Sequence, residues 1–67
     1  MNSIAKTISK TRKIKGLTQE ELAAQAQVNL RTIQRIEKAE SEPRSTTLNL
    51  ICEVLEIDPK ELALAET

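Results

Sequence analysis

Phenylalanine, tyrosine, tryptophan and histidine are all missing from this 67-residue chain, which holds one cysteine, one glycine and two prolines. Each shortage removes a class of structure or chemistry. With no histidine and a single thiol there is no zinc-ligand set, and one cysteine cannot close an internal disulfide. A lone cysteine fits a reducing compartment. Without aromatic rings there is no platform on which single-stranded bases could stack. No nucleophile stands beside a base and no glycine loop could cradle a phosphate, so neither enzymatic activity nor a cofactor or metal is expected. No apolar run approaches the ~20 residues of a membrane span. The first ten residues lack the apolar stretch of a signal peptide. These absences point to a cytoplasmic chain with no membrane contact from this segment.

What remains is one small domain spanning residues 1–67. A domain of this size hides only roughly 60% of the surface its unfolded chain exposes, so tightly packed helices must build the core. The formal charge of zero conceals a division. Residues 1–38 carry eight Lys/Arg against Glu20, Glu21 and Glu37, whereas residues 39–67 carry Arg44 and Lys60 against seven acids. The basic half can bind a polyanion while the neutral total favours solubility; otherwise it is a mixed, solvated surface.

Gly16, Pro43 and Pro59 punctuate a chain whose apolar residues recur at helical spacing. A first helix is expected over about residues 2–15, with Ile4, Ile8 and Arg12 on one face and Gly16 closing it. Thr18-Gln-Glu-Glu21 is a capping box, with Leu17 and Leu22 at staple spacing, and opens a second helix running to about Ala26. Asn29 caps a third helix, in which Ile33 and Ile36 point inward as far as about Lys38. Ser45, give or take one residue, caps a fourth with Leu48, Ile51, Cys52 and Leu55 buried. Asp58, Pro59 and Glu61 open a fifth, with Ile57 stapled to Leu62. Five short helices and no strand pattern give an all-α class.

Gln19–Lys38 is the informative stretch. Ala23 and Ala26 are small enough for two helices to approach, and Leu22, Val28, Ile33 and Ile36 have the spacing of a wedge between them. Leu30, Arg31, Gln34 and Arg35 are left on the outer face of the second helix of the pair. Arginine pairs bidentately with guanine and glutamine with adenine in the major groove of duplex DNA.

From about Ile4 to Leu62, including the lead-in GLTQEEL at Gly16–Leu22, the chain resembles the Cro and phage-repressor family of helix-turn-helix proteins, also called the Xre family. The resemblance implies a compact five-helix bundle of the lambda-repressor-like type, with the helix-turn-helix unit at about 18–38. It implies a sequence-specific transcriptional regulator, a repressor, reading the major groove with helix 29–38. Leu30, Arg31, Gln34 and Arg35 would face bases; Thr18, Gln19, Asn29, Thr32, Lys38 and Arg44 would contact the DNA backbone. Gln19 alternatively is a first-turn residue with a solvated side chain. The family also pairs an arginine of the first helix with the glutamate ending the recognition helix, which here are Arg12 and Glu37; the alternative is two exposed charges worth little to each other. A homodimer on a pseudo-palindromic operator is the implied assembly.

The chain departs from the family pattern at four places. Gln27 and Ala39 stand where glycine is usual, so each must accept a left-handed backbone or a different turn. Glu40 and Glu42 occupy a loop that is often basic, where they would repel phosphate. Cys52 has core spacing and reads as a small packed hydrophobe, or else as a redox sensor. Lys6, Lys10, Lys13 and Lys15 form a solvated helix face that can add non-specific attraction for DNA. Leu50 and Val54 either fill the core from its far side or mark, with Leu62 and Leu64, a two-fold interface. Two other readings stand beside the regulator: a protein-interaction or antitoxin-like module, and the N-terminal DNA-binding domain of a longer regulator.

Overall fold

The apolar spacing resolves into four α-helices in the structure, a computed structural model that describes residues 3–60 and residue 62. They are α1 (Ser3–Ile14), α2 (Gln19–Ala26), α3 (Leu30–Glu37) and α4 (Ser45–Leu55). Helices α1 and α2 each pack against both α3 and α4, with α3 also docked on α2. At the centre Ile8, Leu22, Ala23, Ala26, Ile33, Ile36, Ile51 and Leu55 are buried together. Ala5, Cys52 and Leu62 are buried as well. Burying a side chain of the size of leucine or isoleucine stabilises by about 1.5–3 kcal/mol, so this small set carries most of the cohesion.

The expected fifth helix is represented among the described residues only by its start. Asp58 accepts the Lys60 N–H at 2.9 Å, and Pro59, Lys60 and Leu62 have helical backbone. Glu61 and Leu64 lie outside the described residues. The N-cap of α4 is Arg44, within one residue of the expected Ser45, and its side chain makes no capping bond; the first turn closes on the Arg44 carbonyl, which accepts the Leu48 N–H at 2.8 Å. One further expectation needs correction. Leu62 is in the core at 1% exposure, where the spacing from Ile57 delivers it, and cannot mark an interface.

All four helices end in the same device. In each, a residue with positive φ follows the last turn: Gly16, Gln27, Ala39 and Glu56, at 73°, 58°, 59° and 58°. Its N–H and that of the next residue reach back to carbonyls of the closing turn, as Gly16 to Lys13 and Leu17 to Arg12 do at 3.0 Å. This is the Schellman closure. In three cases the next residue is apolar (Leu17, Val28 and Ile57) and packs against the core. After α3 it is Glu40, which is exposed.

One polar network ties these elements together. The Arg12 guanidinium grips Glu37 through Nε to Oε2 at 2.7 Å and Nη2 to Oε1 at 3.0 Å. Its Nη1 donates to the Leu17 carbonyl at 2.8 Å. Gln19 Nε2 donates to Glu37 Oε1 at 3.1 Å, and the Ser9 side chain lies close enough to favour the charged carboxylate. The Arg12 and Glu37 side chains are only 11% and 6% exposed. Burial opposes the charge on Glu37, but the bonds from Arg12 and Gln19, the positive charge of Arg12 and the nearby Ser9 side chain outweigh it and hold the carboxyl below its usual range. A carboxylate at a helix C-terminus is unfavourable to the helix dipole, so Arg12 also offsets that cost.

The closures differ in how well their residue tolerates positive φ. Nothing lies within 4 Å of a methyl group added at Gly16, so Gly16→Ala tests backbone strain alone, and the exposed Ala39 tests its converse. Gly16→Ala should destabilise and Ala39→Gly stabilise, each by about 0.5–1 kcal/mol in urea unfolding; shifts of equal sign would contradict the strain assignment. Glu37→Ala, which strands the Arg12 charge, should cost about 3 kcal/mol, and a loss well under about 1 kcal/mol would show that the pair is solvated. Because the folded-state pKa of Glu37 is depressed, its contribution is fully present above the ordinary glutamate value of about 4.3 and is lost as pH falls through the lower folded value. Acid unfolding of Glu37→Gln should therefore be less steep than that of the parent chain.

Candidate nucleic-acid interface

The side of α3 opposite the core carries its cations. Ile33 and Ile36 point inward, which turns positions 31, 34, 35 and 38 outward by the three- and four-residue spacing of a helix. Arg31, Gln34, Arg35 and Lys38 are exposed and share one shallow groove with Glu40. Arg31 and Arg35 stand four apart, a like-charge pair that costs a helix a few tenths of a kcal/mol (about 0.2–0.5). Glu37, the one acid of α3, could have relieved that repulsion, but Arg12 and Gln19 hold it on the inner side. Arg31, Arg35, Lys38 and Arg44 make no ion pair with any described residue. The result is a short cationic ridge with unspent donors.

Leu30 is differently placed from the other three side chains expected to face bases. It is half-buried and packs against the core. At the first turn of α3 its side chain leans back over the α2–α3 turn, so only part of it is presented outward.

The expected backbone-contacting residues fall into two groups. Thr18, Gln19 and Asn29 lie at the N-termini of α2 and α3. Thr18 Oγ1 accepts the Glu21 N–H at 3.0 Å, and the Thr18 N–H donates to Glu21 Oε1 at 2.9 Å. Asn29 Oδ1 accepts the Arg31 N–H at 2.9 Å. In both caps the oxygen acts as acceptor, which leaves the Thr18 hydroxyl proton and the Asn29 amide N–H groups to donate elsewhere. Gln19 is half-buried and spends one amide N–H on Glu37, so it is neither wholly solvated nor wholly free. Thr32 and Arg44 lie at the other edge of α3, in a second groove shared with Arg35, Glu42 and Thr47. Lys38 closes the C-terminal end of α3, its N–H bonded to the Gln34 carbonyl at 3.1 Å.

Sequence reasoning missed the bond from Gln19 to Glu37, the Ser9 contribution and the ion pair of Lys15 Nζ with Glu56 Oε1 at 3.2 Å. None leaves a periodic signal, since each joins residues that only the tertiary packing brings together. Cys52 is buried, and burial, with a smaller push from the negative charge of Asp58, raises its thiol pKa; at neutral pH it is the protonated, poorly nucleophilic form. Among the described residues no group of His, Cys, Asp or Glu is arranged to hold a metal ion. No helix there is long and apolar enough to cross a membrane.

Comparison with known proteins bears on this geometry directly. A family model described as helix-turn-helix matches residues 8–62. Among solved structures, a point mutant of the restriction-modification controller protein C.Esp1396I is similar, with a TM-score of 0.83 and 28% identity over 96% of this chain and 83% of that one. No curated protein matches the chain at a significant level. The four-helix arrangement is thus a lambda-repressor-like bundle, and the family is generally non-enzymatic. With the α2–α3 pair lying inside the matched span, the chain belongs to the helix-turn-helix family of Cro/C1 type, the DNA-binding domains of transcriptional regulators.

Proposed function

We propose that this chain, acting as one unit over residues 1–67, binds specific duplex sequences by laying the outer side of α3 in the major groove. The unpaired cationic ridge of α3 carries the reading. Arg31 and Arg35 have the bidentate geometry for guanine and Gln34 that for adenine, with the exposed part of Leu30 beside them as an apolar contact for a thymine methyl. Thr18, Gln19 and Asn29 donate to phosphates on one side of the groove through the hydrogens their caps leave free. Thr32, Lys38 and Arg44 do so on the other. Such contacts fix register without reading sequence.

The similarity to a controller protein supports a regulatory role, exercised here as repression by steric exclusion of the transcription machinery in the cytoplasm. Two copies would occupy the half-sites of a pseudo-palindromic operator about one helical turn, roughly 34 Å, apart. Leu50, 37% exposed, and half-buried Val54 line a shallow groove with Gln25, Gln27 and Glu53 and offer an apolar patch for a weak two-fold contact.

Selection of bound duplexes from random sequence tests the reading. Arg31→Ala or Arg35→Ala should relax preference at one base position by ~1–3 kcal/mol, and affinity should fall steeply with salt. Affinity that is flat in salt, or selection that enriches nothing, would favour a protein-interaction module in its place. Sedimentation should show dimers at least on operator DNA; monomers alone at high micromolar concentration, with and without duplex, would remove the two-fold model.

A further inference from the structure

Glu40 lies where a carboxylate is hardest to explain. It lines the same groove as Arg31, Gln34, Arg35 and Lys38, yet forms an ion pair with none of them. Its backbone is held in place, because its N–H donates to the Arg35 carbonyl at 2.9 Å and the preceding Ala39 has left-handed φ. The side chain is therefore carried on a rigid closure at the end of α3 and not on a loose loop. A carboxylate accepts hydrogen bonds and donates none. On a surface that meets duplex DNA, phosphates repel it, and so do the acceptor atoms of guanine and thymine. Adenine offers an amino group but sets the N7 acceptor beside it. The cytosine amino donor has C5–H on its outer side and is flanked by one acceptor only, O6 of the paired guanine, whereas the adenine amino group lies between two, its own N7 and the paired thymine O4.

We propose that Glu40 is a specificity-determining residue that selects cytosine at one operator position on the strand it faces, by accepting a hydrogen bond from the cytosine exocyclic amino group. This rests on α3 reading the major groove. Glu40 thereby adds a base class that Arg31, Gln34 and Arg35 do not cover. At guanine and thymine the carboxylate finds no donor, and at adenine the N7 acceptor beside the amino group repels it, so the same residue weakens binding to non-cognate DNA. Glu42 supplies the natural contrast. It is also exposed and acidic, but it lines the neighbouring groove with Thr32 and Arg44, the residues assigned to phosphate contact, and not the groove that Arg31 and Gln34 line.

The test is selection from random duplexes run in parallel with the parent chain, Glu40→Ala, Glu40→Gln and Glu42→Ala, with thermal melts to confirm that each folds. The parent should enrich sites with cytosine at one position. Glu40→Ala should lose about tenfold of that preference and keep the others. Glu40→Gln, which offers an N–H beside its oxygen, should turn the same position toward adenine. Glu42→Ala should strengthen binding to all duplexes without altering base preference. A Glu40→Ala logo identical to the parent's, or one weakened at every position alike, overturns the proposal while leaving the α3 reading in place. A parent chain that enriches no sequence overturns both.

Discussion

A largely shielded guanidinium–carboxylate pair decides which way the third helix faces. Arg12 meets Glu37 through two parallel hydrogen bonds, the geometry in which such pairs are strongest. It reaches the α1–α2 turn with its remaining nitrogen. Gln19 brings α2 to the same carboxylate. Helices α1 and α2 therefore converge on one side chain at the end of α3, and the α1–α2 turn is tied to the arginine that grips it. An apolar seam of Ile33 and Ile36 could tolerate some rotation of an eight-residue helix, but a two-pronged bond between nearly buried charges does not. The pair need not add much net stability for this purpose. Its effect is orientation, and its loss is costly because one charge would stay behind unpaired.

The same bond shapes the electrostatics of the surface. It draws the sole acid of α3 to the inner side, so the outer side keeps Arg31, Arg35 and Lys38 without a carboxylate from their own helix. An isolated helix of this composition would gain by neutralising its cations. Here local stability is traded for a surface of free donors, as a polyanion-binding domain requires. Glu40, in the closure of α3, and Glu42, on the loop beyond, temper the positive charge from just past the helix end. The chain as a whole stays neutral, so attraction to DNA is confined to one part of the molecule.

Much of this was legible in the residues. Capping boxes, apolar spacing and punctuation located all four helices to within about two residues, because those signals are local and chemical. Thr18 with Glu21 and Asn29 with Arg31 act through neighbours in sequence. For Gln27 and Ala39 the resemblance to the family, which usually has glycine there, left a left-handed backbone or a different turn, and the structure has the left-handed one. Glu56 takes the same left-handed backbone after α4 with no glycine or asparagine to signal it. What could not be read was the consequence of packing. Leu30 shares the periodicity of the outer face, yet the docking of α2 on α3 covers part of it. Leu62 looked available for an interface until the closure after α4 turned it into the core. The Gln19–Glu37 bond spans eighteen positions and has no signature in sequence.

The central claim is that Arg12 is locked inside the fold while Arg31 and Arg35 await a partner. Arginine Nε–H resonances of the labelled protein, recorded without and with an operator duplex, distinguish these states in one measurement. The Arg12 signal should be slow to exchange with solvent and unmoved by DNA, whereas those of Arg31 and Arg35 should exchange fast when free and shift and slow when bound. An Arg12 signal exchanging as fast as a surface arginine, or α3 signals indifferent to the duplex, would contradict the account.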